Sequence, residues 1–248
     1  MADEFRIGGT GSALGIMRLL AADFMSEHPD VRIKVLRSLG SGGGIKAAMA
    51  GAIGLGVSSR PLKEEERSRG AVETEFARTP FVFAVSTSSQ VRAITPDELA
   101  HIYAGKKKTW ADGSPIRIVL RPDGDIDTKI IKSISPELQR AVLAAEARPG
   151  VQFSVTDQDA ANDLEKIPGA IGPGSLAVIL SEKRALRALV LDGKEPTAKN
   201  AASGVYPYYK RLFLVTGATR PPNVARFIEF VQSPAARRIL ANNGLWIP

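Results

Sequence analysis

Twice within its first fifty residues the chain runs from a short apolar or β-branched segment into glycines and hydroxyls, and then into helical spacing. The first unit is Phe5-Arg6-Ile7, then Gly8-Gly9-Thr10-Gly11-Ser12-Ala13-Leu14-Gly15, with apolar residues at Ile16, Leu19, Leu20 and Phe24. The second is Val31–Val35, then Leu36 to Lys46 with Gly40-Ser41-Gly42-Gly43-Gly44, leading to Ile45, Ala48 and Met49. Glycine lets a backbone approach a ligand closely, and a helix start presents N–H groups with no partner inside the helix. Such a start favours an anion or a polar oxygen. Two of these loops side by side are expected to form one wall of a cleft. Ser41 is the candidate donor there, because a run of glycines has little structural use for a central hydroxyl.

The remainder alternates strand and helix. Gly51–Val57 is expected as a buried strand, Lys63–Arg69 as a charged helical turn, and Thr79–Ser86 as a strong strand. Thr95-Pro96-Asp97-Glu98 is a helix start with cap, proline and capping-box glutamate. Ile116–Arg121 is a strand running into Pro122–Thr128 and a helix; Ser135-Pro136-Glu137 starts another. Val151–Val155 reads as a strand before a helix start at Thr156–Asp159; Ala170–Gly172 follows as the start of a strand or a tight turn, and Ala188–Leu191 as a short strand. Leu212–Val215 mirrors the strand at Thr79–Ser86, and Val224–Leu240 reads as two helices broken at Ser233-Pro234. This βα alternation implies an α/β fold with a mostly parallel sheet. Two strong strands bracketing half the chain suggest two lobes joined by two crossing strands.

Composition narrows the function. The 248 residues are 44% hydrophobic and 24% charged, enough for one large or two small cores. Cysteine is absent, which excludes disulfides and thiolate chemistry; two distant histidines give no basis for a metal or histidine site. The formal charge of +7 is spread along the chain, and aromatics are only 6%, so no nucleic-acid partner is expected. Gly9-Thr10-Gly11 with Gly15 is a loose dinucleotide fingerprint, with Arg37 placed for a 2′-phosphate, but its spacing fails and the second glycine loop has no role in it. No cofactor is expected. The opening Met1-Ala2-Asp3-Glu4 does not read as a signal peptide.

Several motifs resemble those of the periplasmic phosphate-binding proteins of ABC importers: Gly40–Ile45, Gly51 to Ser58-Ser59-Arg60-Pro61-Leu62, Arg121-Pro122-Asp123-Gly124, Pro168–Gly172 and Tyr206-Pro207. They occur in the family's order and span nearly the whole chain. The resemblance implies a class II solute-binding fold with two α/β lobes, each a mostly parallel sheet with flanking helices, closing on a ligand. Lobe one is expected at 1–80 and 208–248, lobe two at 81–207. It further implies a monomer outside the cytoplasm, periplasmic or extracellular, without catalysis, that delivers phosphate or another oxyanion to importer membrane subunits.

Carried over by position, the ligand-binding residues are Thr10, Gly11 and Ser12 in the first loop, Ser41 and Gly42 in the second, Ser59, and Arg121. The sequence departs from the pattern at two places. Gly54 stands for the family's aspartate that accepts a hydrogen bond from protonated phosphate, and Asp125-Ile126-Asp127 stands for its serine-glycine-threonine. Arg121 is then either an anion clamp or a partner for Asp123, Asp125 or Asp127. Asp125 is expected to line the cleft and Asp127 to cap a helix, which together predict weak phosphate binding and leave an amine- or hydroxyl-bearing solute as the alternative.

Overall fold

The computed structural model describes residues 3–150 and 152–248, so the expected strand at Val151–Val155 lies partly outside it; within it Phe153 makes a single bridge to Leu120. The chain opens β1 (Asp3–Gly9), α1 (Gly11–Glu27), β2 (Val31–Val35), α2 (Gly40–Met49), β3 (Leu55–Ser58) and α3 (Glu64–Ser68). Then come β4 (Val72–Ser86), β5 (Ala93–Ile94), α4 (Pro96–Tyr103), β6 (Arg117–Ile118), α5 (Ile126–Ile134), α6 (Pro136–Glu146) and α7 (Asp157–Lys166). The last part is β7 (Ala170–Ser175), α8 (Leu176–Ser181), β8 (Leu186–Ala188), β9 (Val190–Leu191), α9 (Ala198–Ala202), β10 (Tyr209–Thr216), α10 (Pro222–Val231) and α11 (Pro234–Asn242).

Strand order is β2-β1-β3-β10-β4-β7-β6, with β8 also on β4. β1 pairs in parallel with β2 and β3, and β6 with β7, but β10 and β4 run antiparallel to their neighbours. The sheet is therefore mixed where a mostly parallel one was expected, because the two crossing strands return through its middle. β4 is the long element. Its first part, Val72–Pro80, pairs with β10, and its second part, from Phe81, pairs with β7 and β8.

The buried side chains change partners along β4. Phe76 and Ala77 belong to a core with Phe5, Ile7, Leu14, Leu20, Leu212 and Phe227. Phe81 and Phe83 belong to another with Leu99, Tyr103, Ile131, Ile171 and Tyr206. Trp110 donates its Nε1–H to Gly169 O at 3.1 Å, and Trp246 pairs with Arg78 through both backbone groups.

Several boundaries differ from the sequence expectations. Gly40–Gly44 is the first part of α2, not a loop. Glycine is required inside that helix because a Cβ on Gly44 would stand 2.5 Å from Gly9 Cα and 2.8 Å from Gly8 O. Residues 51–54 form turns, and only Leu55–Ser58 is strand. Of Ile116–Arg121 only Arg117–Ile118 pairs as a strand. The Thr79–Ser86 strand starts earlier, at Val72.

Candidate ligand-binding cleft

α1 and α2 both begin where β1 and the turn after β2 end. Neither N-cap residue caps its helix with its side chain; in α2 Gly40 N donates to Ser38 Oγ at 3.3 Å, and among the described residues no side chain is found on the other first-turn N–H groups. Thr10 is the N-cap position of α1, held by its N–H donating to Val57 O at 2.9 Å. Three hydroxyls meet there. Thr10 Oγ1 is 3.3 Å from Ser59 Oγ, and Ser41 Oγ is 3.0 Å from both Ser59 Oγ and Ser59 N. Each hydroxyl has donor or acceptor capacity left over.

These groups line one side of a cleft of about 510 Å³. Gly42, Ser38 and Arg60 share that side; Arg121, Asp125, Lys129, Thr156 and Asp157 line the other. Arg60 is fixed by a two-pronged pair with Glu66 at 2.7 and 2.8 Å, and that bonding holds the Glu66 carboxyl down at about 2.

Behind the second wall lies a buried ionic cluster. Arg121, 3% exposed, donates to Ser154 O at 2.7 Å and to Asp125 Oδ2 at 2.8 Å. It also stands 3.7 Å from one oxygen each of Asp127 and Asp157. Asp125 caps α5 by accepting from Asp127 N at 2.9 Å. Asp127, 1% exposed, pairs with Lys210 at 2.5 Å. Asp157 accepts from Ser12 Oγ at 2.6 Å and from Lys210 Nζ at 3.1 Å.

The cluster sets three carboxylates against two cations, and that imbalance shapes the titration of Asp127, Asp157, Lys210 and Arg121. Burial pushes the Asp127 carboxyl up to about 7, with Lys210 offsetting only part of it. Burial also disfavours the Asp157 charge, but Lys210, Arg121 and the Ser12 hydroxyl outweigh it and hold that carboxyl at about 2. Lys210 and Arg121 lose solvent too, yet their acidic neighbours keep both above their ordinary ranges.

The expected site residues divide accordingly. Thr10, Ser41, Gly42, Ser59, Arg121 and Asp125 come together around the cleft. Gly11, Ser12 and Asp127 stand behind it. A Cβ on Gly11 would lie 2.4 Å from Gln158 Oε1, so α7 covers this start of α1. The Ser12 hydroxyl is taken up by Asp157. Asp127 is not the cap; Asp125 is, and Asp127 instead neutralises a buried lysine. Gly54 is corrected as well. A side chain there would meet Phe5 and Val224 at 2.9 Å, in the core, so its lack of a carboxylate has no bearing on the cleft.

Of the aspartates weighed against Arg121, Asp125 bonds it directly, while Asp123 pairs with Lys132 at 2.5 Å. Asp157 and Lys210 were missed. Asp157 reads as an ordinary cap beside Thr156, and only its capping-box neighbour Asp159 serves that purpose.

Among the described residues no group of three or more metal-ligating side chains is found, and no helix is long and apolar enough to cross a membrane.

Comparison with known proteins agrees with this architecture. Residues 2–235 match the family model of the PBP superfamily domain. The phosphate-binding protein PstS of Bacillus subtilis is 28% identical, over 98% of this chain and 79% of its own length. That of Staphylococcus saprophyticus is 31% identical, over 92% of this chain and 75% of its own. Among solved structures, a Clostridium perfringens protein assigned as a phosphate ABC transporter substrate-binding protein, with bound phosphate, superposes with a TM-score of 0.81. It is 26% identical, and the match covers 99% of this chain and 100% of that one. The periplasmic molybdate-binding protein of Azotobacter vinelandii shares the fold, with a TM-score of 0.69 at 14% identity over 98% of this chain and 99% of its own. The chain belongs to the PBP superfamily and, within it, to the family of the phosphate-binding proteins.

Proposed function

We propose that the cleft captures phosphate, with no chemical change to it, and presents it to the membrane subunits of an ABC importer. One observation carries this reading. The Thr10, Ser41 and Ser59 hydroxyls converge at the starts of α1 and α2. That arrangement offers several donors to one small anion, with the start of α2 open to the cleft and Thr10 reaching it from the start of α1. The relatives' names agree with it.

The two lobes are 1–80 with 208–248, and 81–207, closing about β4 and β10. The change of core between Ala77 and Phe81 supports that division. On this reading the protein acts as a monomer outside the cytoplasm.

The sequence alone predicts weak phosphate binding, through repulsion by Asp125 and Asp127. The geometry removes most of that argument. Both oxygens of Asp125 are engaged, by Arg121 and by the Asp127 N–H, and Asp127 is buried against Lys210. A carboxylate so neutralised repels an anion far less than a free one.

Calorimetric titration with inorganic phosphate at pH 7 is expected to show saturable one-site binding. Ser41→Ala is expected to weaken it by about 1.5–3 kcal/mol, the worth of a hydrogen bond to a charged group. Unchanged affinity would remove Ser41 from the site. No heat of binding in the wild type would overturn the reading.

The dinucleotide alternative meets a steric objection. The Gly11 side of the α1 start, where a pyrophosphate would sit, packs against Asp157 and Gln158, while Thr10 still lines the cleft; Gln158 Nε2 donates to Gly11 O at 3.0 Å. Equilibrium dialysis is expected to detect no saturable binding of NAD or NADP. Micromolar binding of either would mean that α7 swings clear of α1.

A further inference from the structure

Lys210 lies on β10, one of the two crossing strands, and its side chain is fully buried. A buried ammonium must be paired, and the pairing here is unusual in its reach. Nζ stands 3.1 Å from Ser12 Oγ, 3.1 Å from Asp157 Oδ1 and 2.5 Å from Asp127 Oδ1. Those partners sit in the first turns of three different helices: Ser12 in α1, Asp127 in α5 and Asp157 in α7. The caps of the same helices, Thr10, Asp125 and Thr156, all line the cleft. One ammonium therefore gathers from beneath the three helix starts that face the ligand from above.

We propose that Lys210 is a positioning residue for anion capture: it does not touch the ligand, and it holds the starts of α1, α5 and α7 in the arrangement that receives one. The inference rests on the phosphate reading above. Acidic groups near helix starts are favoured by the dipole, but three carboxylates crowded together repel one another and any arriving anion. Asp127 is faced by Lys210 from β10, Asp157 from α7, Arg121 and Asp125 from the turn before α5, and the Tyr103 ring from α4. Without Lys210, only Arg121 remains to balance Asp125, Asp127 and Asp157. Ionised Asp127 then pushes α5 and α7 apart, and the cleft keeps its shape only when Asp127 takes up a proton.

Lys210→Met and wild type are titrated with inorganic phosphate at pH 6 and pH 8. Comparing the two proteins at each pH cancels the ionisation of phosphate itself. The variant is expected to bind at least tenfold more weakly at pH 8, with the deficit narrowing at pH 6. A double variant, Lys210→Met with Asp127→Asn, removes both buried charges and serves if the single variant does not fold. It is expected to fold and to bind more weakly than wild type by the same factor at both pH values.

Binding by a folded variant within twofold of wild type overturns the proposal while leaving the phosphate reading intact. So does a loss in the single variant that is equal at both pH values, since a merely structural lysine gives that result. Absence of phosphate binding by wild type overturns both readings.

Discussion

Gly9→Ala is expected to lower stability by about 4 kcal/mol or more, a loss large enough to leave little folded protein. Gly9 ends β1 with φ +147°, a conformation open to glycine and strained for any side chain. Space is the larger obstacle. A Cβ there would lie 1.9 Å from Val57 O, on the neighbouring strand β3. The overlap is with backbone, so no rotamer change relieves it; β1 and β3 must separate. That separation also breaks the bond from Thr10 N to Val57 O and frees the start of α1. Gly42→Ala is the control, from the second glycine-rich unit. Nothing lies within 4 Å of a Cβ at Gly42, which is helical, so alanine there should gain roughly 0.5–1 kcal/mol. Urea midpoints moving in opposite directions confirm the contrast; a Gly9→Ala midpoint near that of wild type refutes the close approach of the two strands.

The same two glycines show what was legible in the sequence. Strand, glycine, helix in succession announced one wall of the cleft, because the pattern is local and its physics is local. Ser41 stood out for the same reason, as did the helix starts at Thr95, Ser135 and Thr156, each with a cap whose side chain accepts from the third helical residue. The two lobes were legible from the paired strong strands. What stayed hidden depends on contacts distant in sequence. Gly40–Gly44 looked like a loop because glycine disfavours helix; the close crossing of β1 that requires Gly44 is tertiary.

The ionic cluster joins positions 12, 121, 127, 157 and 210, and no spacing rule connects them. One local signal was available. Lys210 is two residues before Leu212 and four before Leu214, on the inward face of a strand whose neighbours Tyr209 and Arg211 are more exposed. A lysine in phase with core leucines predicts a buried partner. Finding Asp127 and Asp157 as that partner took the fold.

Arg121→Ala tests the cluster as a balance of charge. Breaking a buried pair by removing one member costs about 3–5 kcal/mol, because the other is left uncompensated. Here the loss leaves Asp125, Asp127 and Asp157 with Lys210 alone. In the wild type, Asp157 is held at about 2, below its ordinary value, so its contribution persists at pH 5 and vanishes only as pH falls through about 2. Asp127, pushed up to about 7, acts in the opposite sense: the fold favours its protonated form, so ionising it at higher pH weakens the fold. Removing the guanidinium raises the Asp127 and Asp157 carboxyls together, since it faces both of them. An acid raised in the folded state costs stability above its folded pKa and returns it as the pH drops through that value. The deficit of Arg121→Ala is therefore largest at pH 8 and shrinks at pH 5, where the abandoned carboxylates accept protons. Urea denaturation of both proteins at the two pH values measures this. Equal deficits at both would assign the role of Arg121 to its bond with Ser154 O and its packing, and would leave Lys210 as the cation that balances the cleft.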